Sequence, residues 1–323
     1  MKKKTERLLI GLGASVAAAV SATIVSNKLT KELVKEAIDR NEPKYLKPIR
    51  ANRLGAYFEK EPYKSAKDTA EKLLNKPTET VKITAEDGTE LIGHYYSCEN
   101  PKRIVIAMHG WRSLWYKDFG PSSDFLHDND CDVLYAEQRG QGNSGGEYIG
   151  FGMIERFDCL SWINWVVENK KDIPIYLLGV SMGASTVLMT SGLFLPEKVK
   201  GIIADCGFTS AKEIFKHVAV NSFHIPYSVK QNEVENLCKE RINFGAGEYS
   251  TIDALKISKT PILFIHGTDD KFVPISMTYE NYKACVSPKR LFVVPGAEHG
   301  GSYLVDKEGY EKEVLDFFAS YDN

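Results

Sequence analysis

The chain has 323 residues, 43% of them hydrophobic and 26% charged, which is globular composition with material for one large core or two modest ones. Its 41 basic residues nearly balance 43 acidic ones, for a net charge of −2, with the two signs interspersed. The absence of a basic stripe or recognition motif sets a nucleic-acid partner aside.

The first feature in chain order is an uncharged run, "LLIGLGASVAAAVSATIVS", from Leu8 to Ser26, preceded by MKKKTER. As a helix it spans roughly 28 Å, about the hydrocarbon thickness of a bilayer. A membrane anchor is the first reading. A cleaved signal peptide is the second, since small residues at Ala17–Val20 and Ala19–Ala22 offer cleavage sites. A buried soluble helix is the third. Four basic residues precede the run (Lys2, Lys3, Lys4, Arg7) and four follow it (Lys28, Lys31, Lys35, Arg40). The leading ones are denser and not offset by acids, which favours a single-pass protein with its N-terminus inside and its bulk outside the cell membrane. On the second reading the product is secreted. Gly11 and Gly13 do not make a dinucleotide loop, for want of a preceding strand and a third glycine.

Residues 27–78 are charged and punctuated by prolines. "KLTKELVKEAIDR" and "SAKDTAEKLLNK" have helical periodicity, the second with Ser65 as N-cap. The segment reads as a helical stalk and lead-in without chemistry of its own.

From Thr80 the rhythm changes. "TVKIT", Asp87-Gly88 and "ELIGHYY" predict a hairpin. Six apolar runs follow, separated by helical stretches: 103–110, 132–137, 174–180, 200–205, 261–267 and 290–296. Unbroken apolar strands alternating with helices predict an α/β fold, an eight-stranded mostly parallel sheet with helices on both faces. Residues 79–323 fit one such domain. The six cysteines, Cys98, Cys131, Cys159, Cys206, Cys238 and Cys285, form no CxxC and no zinc-ligand cluster. No metal is expected. Several of these cysteines sit in apolar surroundings as small hydrophobes.

In such sheets, chemistry gathers beyond the carboxyl ends of the strands. There stand His109-Gly110-Trp111, Gln138-Arg139-Gly140, Ser181, Asp205, His266 through Asp270, and Glu298-His299. Gly179-Val180-Ser181-Met182-Gly183 is G-x-S-x-G between a buried strand and a helix. That context lifts Ser181 above the sheet on a sharp turn. The Met182 N–H, at the helix start, faces a developing oxyanion. A serine hydroxyl needs a base. Of seven histidines, His109 and His266 read as turn residues, His94 lies in the hairpin, and His127, His217 and His224 read as solvated. His299, in the loop "GAEHGGS" after the last strand, is the best base. Asp269 and Asp270 are candidates for the acid, with Asp205 a rival.

"HGW" (109–111), "EQRGQGNSGG" (137–146), "GVSMGAS" (179–185), "HGTDDKFVP" (266–274) and "GAEHG" (296–300) together resemble the α/β-hydrolase superfamily, in chain order Ser…Asp…His. The match is closest to a bacterial membrane-anchored branch with a serine-peptidase or lysophospholipase-like core, and it covers about residues 79–323. The resemblance implies Asp270 as the acid, Ser181 as the nucleophile and His299 as the base. It also implies that Trp111 supplies the second oxyanion N–H and that a small cap is inserted after strand six, about 212–256. Gln138 departs from the Asp that often precedes R-G-x-G-x-S in the family; that position organises a loop.

The expected activity is a cofactor-independent serine hydrolase that cleaves carboxylic esters, or small amides, through an acyl-enzyme. An acyltransferase on the same residues and a non-catalytic binding protein on the same fold are the alternatives. The intact serine, acid and histidine argue against the last. A nucleotide enzyme is disfavoured because no GK[ST] follows "GQGNSGG".

Overall fold

The structure is a computed structural model and describes residues 27–41, 63–223 and 226–322. Leu8–Ser26 therefore lies outside the described residues, as does His224. Among the described residues no helix is long and apolar enough to cross a membrane.

Helix α1 covers 27–38. A 3₁₀ turn, Tyr63–Ser65, leads into α2 (Ala66–Leu74). Ser65 makes no side-chain capping bond, because its own backbone is already helical. The hairpin β1 (Glu79–Thr84) and β2 (Glu90–Tyr96) follows, then β3 (Arg103–Met108), α3 (Trp115–Asp128), β4 (Cys131–Ala136), α4 (Glu155–Asn169) and β5 (Ile175–Val180). Next come α5 (Met182–Thr190), β6 (Val199–Asp205), α6 (Ala211–Phe223), α7 (Tyr227–Ile242) and α8 (Thr251–Leu255). The chain closes with β7 (Ile262–Gly267), α9 (Ile275–Ala284), β8 (Lys289–Val294), α10 (Ser302–Val305) and α11 (Lys307–Tyr321).

The eight strands form one sheet in the order β1-β2-β4-β3-β5-β6-β7-β8. β1–β2 and β2–β4 pair antiparallel, and every other pair is parallel. β3 shows why its sequence is apolar throughout. Ile104, Ile106 and Met108 point into one core with Trp162 of α4 and Val187 of α5. Val105 and Ala107 point into the other, with Phe119 of α3 and Phe317 of α11. Alternate residues of a strand face opposite sides of the sheet, so a strand covered on both faces needs apolar residues at every position. All six cysteines are unpaired, and five are buried.

A third apolar cluster covers the carboxyl end of the sheet. It joins Val34 and Ile38 of α1, Phe151, Met182 of α5, and Leu237 and Ile242 of α7. The helix read as part of a stalk is thus packed on the hydrolase body: Ile149 N–H donates to Ile38 O, and Arg40 N–H to Glu147 O. The segment after β6 is a helical pair, α6 and α7, whose apolar faces close on this cluster.

His127 corrects the sequence reading. It is buried, stacks on Tyr96 at 3.5 Å between ring centroids, and lies 2.9 Å from Tyr135 Oη and 2.8 Å from Lys76 Nζ. It sits in the last turn of α3, where the helix rests on the sheet. Burial, helped by the Lys76 charge, pushes its pKa down to about 3.

Candidate active site

Ser181 follows β5 with φ 56° and ψ −116°, in the half of conformational space that side chains avoid. Its N–H is tied to Asp205 O at 2.8 Å, which locks the turn to the end of β6. The flanking glycines are dictated by contact. A Cβ on Gly183 would stand 1.8 Å from Met108 O, and one on Gly179 would stand 2.2 Å from Gly183 O. The chain therefore turns from β5 into α5 against bare backbone, leaving Ser181 Oγ above the sheet.

The loop after β8 brings His299 to it. His299 Nε2 lies 2.9 Å from Ser181 Oγ, and Nδ1 lies 2.7 Å from Asp270 Oδ2. Asp270 is buried; its Oδ1 accepts the N–H groups of Phe272 and Val273, both at 2.9 Å. Burial works against the Asp270 charge, but His299 and His266 hold its pKa below the ordinary carboxylate range. Burial likewise works against a charged His299, and the Asp270 carboxylate overrides it, pushing the imidazole pKa up. Asp269 is exposed, and its carboxylate accepts the Thr268 hydroxyl. Asp205, the rival acid, is buried and accepts from Ser302 Oγ at 3.1 Å, with its pKa pushed up to about 6 by burial.

Met182 opens α5, where the first N–H groups of a helix lack intrahelical partners. Trp111 begins the turn after β3. A Cβ on Gly110 would lie 3.3 Å from Ser181 Cβ, so this turn borders the serine. Gln138 holds the region together: its N–H donates to His109 Nε2 at 3.0 Å, its side-chain amide donates to His109 O, and its Oε1 accepts from Thr186 Oγ1 at 3.2 Å. The departure from Asp at this position thus keeps the loop-organising role.

Four supports escaped the sequence reading. His266, read as a turn residue, is fully buried, with Nε2 at 3.1 Å from Asp270 Oδ2 and Nδ1 at 2.6 Å from Thr278 Oγ1. The four-residue spacing from His266 to Asp270 was its only signal. Asp118 of α3 accepts the Gly110 N–H at 2.6 Å and the Ser113 hydroxyl at 2.5 Å, fixing the turn that carries Trp111. Tyr63 Oη accepts the Glu298 N–H at 3.0 Å beside His299. Arg112 ties that same turn to α1. Asp118, Tyr63 and Arg112 lack a motif and are recognised only by where they sit.

Among the described residues, Cys206, Asp270 and His299 place metal-type donor atoms within 4.8 Å of one another. Two of the three are already joined as His299–Asp270, and burial pushes the Cys206 thiol up to about 11, so it is neutral at ordinary pH.

The family model of the prolyl oligopeptidase family (Peptidase_S9) matches residues 118–323, well over half of the chain. The chain belongs to the prolyl oligopeptidase family. With its α/β-hydrolase fold, this member of the family is a serine hydrolase. It is 27% identical over 237 residues to "Uncharacterized protein YqkD" of Bacillus subtilis (strain 168), covering 73% of this chain and 77% of that one. It is 27% identical over 252 residues to "Uncharacterized protein YfhR" of Escherichia coli (strain K12), covering 75% and 81%. Among solved structures, an esterase of Pyrococcus furiosus, Pf2001, superimposes with a TM-score of 0.63 over 78% of this chain and 94% of its own, at 22% identity. That likeness shows the fold.

Proposed function

We propose that this hydrolase cleaves carboxylic esters, and small amides by the same route, through an acyl-enzyme on Ser181. The observation that carries the reading is the unbroken line from Ser181 Oγ to His299 Nε2 at 2.9 Å and from His299 Nδ1 to Asp270 Oδ2 at 2.7 Å. His299 takes the serine proton as Oγ attacks the carbonyl carbon. The N–H groups of Met182 and Trp111 hold the oxygen that becomes negative. His299 then protonates the leaving alcohol or amine, and Asp270 keeps the imidazole in the tautomer with its proton on Nδ1. Water repeats the cycle on the acyl group, so no cofactor enters the balance.

The region of α6 and α7 is the part of this reading that sets substrate choice, as a cap over the pocket. Phe215 of α6 packs on Phe151 with ring centroids 4.6 Å apart, and Phe151 on Phe208 at 6.0 Å, so the segment is seated on the body of the protein by aromatic contacts. Leu8–Ser26 is read as a single-pass anchor that holds the enzyme at the cell membrane with its catalytic domain outside. The test of function is a panel of p-nitrophenyl esters from short to long acyl chains, run with wild type and Ser181→Ala. Turnover by wild type and none by the variant supports the reading; equal rates from both defeat it.

A further inference from the structure

Arg112 has φ 50°, a left-handed conformation that is unfavourable for a residue with a Cβ. It is held there by an unusually dense set of contacts. Its Nε and Nη2 donate to Glu36 O at 2.9 and 2.7 Å, Nη2 also to Asp39 O at 2.6 Å, and Nη1 to Arg40 O at 3.3 Å. These carbonyls belong to the last turn of α1 and the residues just after it. The final carbonyls of a helix have no intrahelical donors and carry the negative end of its dipole, so a guanidinium fits them in both geometry and charge. The neighbouring Trp111 docks on the same turn, its indole Nε1 donating to Ala37 O at 2.8 Å.

The helix end is itself fixed from other sides. Arg40 donates to the carbonyls of Gly142, Ser144 and Gly146 at 2.9, 2.6 and 3.2 Å, in the loop after β4. Arg241 of α7 donates to Asp39 Oδ1 at 2.5 Å. The segment 27–41 is thus a strut, anchored to the 142–146 loop and to α7, on which the turn carrying the Trp111 N–H is mounted.

We propose that Arg112 is a positioning residue for the oxyanion hole: by clamping the 110–113 turn to the end of α1, it sets where the Trp111 N–H points. The inference rests on the serine-hydrolase reading given above. An oxyanion donor acts only within about 2.7–3.1 Å of the developing charge. A misplacement of about 1 Å is enough to cost on the order of 10²-fold in rate. Asp118 and Gln141 hold the same turn by the Gly110 N–H and the Arg112 N–H, at 2.6 and 2.5 Å, whereas the Arg112 guanidinium ties it to the end of α1. Without the guanidinium, the left-handed residue that follows Trp111 loses the contacts that stabilise it and the turn relaxes.

The test uses the full-length chain as wild type, Arg112→Ala, Arg112→Lys and Trp111→Phe, each checked for fold by thermal unfolding. For Arg112→Ala, kcat on a p-nitrophenyl ester is expected to fall about ten- to a hundred-fold, part of the loss for a missing oxyanion donor, with KM little changed. The Ki of a trifluoromethyl ketone, which forms the tetrahedral adduct, should rise in step, while the Ki of a product-like carboxylic acid stays put. A merely structural role does not separate those two inhibitors. Arg112→Lys should recover only part of the loss, because an ammonium cannot bridge three carbonyls in one plane. Trp111→Phe keeps the main-chain N–H and loses the indole bond, and should show a smaller fall of the same kind. If Arg112→Ala does not fold, the lysine and phenylalanine variants decide. A folded variant with wild-type kcat and ketone Ki overturns the proposal while leaving the hydrolase reading intact. Wild type without turnover or adduct overturns both.

Discussion

Replacing Asp270 by Asn tests the proposed catalytic acid, and the structure dictates what the amide must do. Oδ1 accepts two main-chain N–H groups at 2.9 Å, from Phe272 and Val273, so the amide oxygen has to stay there. The amide nitrogen then takes the place of Oδ2, 2.7 Å from His299 Nδ1 and 3.1 Å from His266 Nε2. It donates where the carboxylate accepted. His299 can keep a bond to it only as the tautomer with its proton on Nε2, and that proton faces Ser181 Oγ. The base is then unable to take the serine proton, although no atom has moved. The expected loss in kcat is about 10⁴, the size of the same change in the serine-protease triad. That corresponds to about 5.4 kcal/mol of transition-state stabilisation. Steady-state hydrolysis of p-nitrophenyl esters measures it, with circular dichroism confirming the fold. Asp205→Asn should stay within about tenfold of wild type, since its carboxylate meets Ser302 and not His299, far short of a triad loss. An Asp270→Asn enzyme within tenfold of wild type, or an equal collapse in Asp205→Asn, refutes the reasoning.

The pH profile carries a second expectation. On the proposed mechanism the base is neutral His299, and the Asp270 carboxylate raises its pKa, so the acid limb of kcat/KM should lie above the ordinary histidine value of about 6.5. A limb at or below that value contradicts the electrostatics. The same shift makes the His299 charge stabilising from about pH 6.5 down to the acid range in which Asp270 itself protonates, and this contribution is lost as pH rises through the folded-state pKa of His299. His127 has the opposite sign. Its folded pKa is depressed to about 3, so it destabilises as pH falls below its unfolded value of about 6.5, and His127→Phe should flatten acid unfolding over that window. Gly183→Ala drives a Cβ to 1.8 Å from Met108 O and should cost about 3 kcal/mol or more in denaturant unfolding; an unchanged midpoint sinks the packing argument. Exchanging residues 215–250 for a short linker should change the preference among acyl lengths, and an unchanged profile shows that the segment is no cap. Removing residues 1–26 should leave kcat on small esters within a few-fold of wild type, while the full chain pellets with membranes and keeps its Met1 start. A new N-terminus in the culture fluid favours signal cleavage instead.

All eight strands and the sharp turn at Ser181 were legible in the sequence because they are local. A strand buried on both faces declares itself by unbroken apolar residues, as "RIVIAM" does. A serine between glycines at the end of such a run declares a tight turn against backbone. The supports were not legible because they are made across the chain. His127 looks solvated until Tyr96 and Tyr135 close on it. His266 looks like any turn histidine until the loop after β7 folds Asp270 back to it. The charged helix 27–38 carries only Val34 and Ile38 as fully buried apolar residues, too thin a stripe to announce that it docks beside the catalytic turn. Its main attachments are arginines to main-chain carbonyls, which leave no periodic trace in a sequence.

The central claim is that Ser181 is a nucleophile activated by His299, and reaction with a fluorophosphonate tests it most directly. Folded wild type should become labelled at one site, and mass spectrometry should place the phosphonyl group on Ser181, with Ser181→Ala unlabelled and His299→Ala strongly slowed. Folded wild type that stays unlabelled, or a label that persists in Ser181→Ala, contradicts the account.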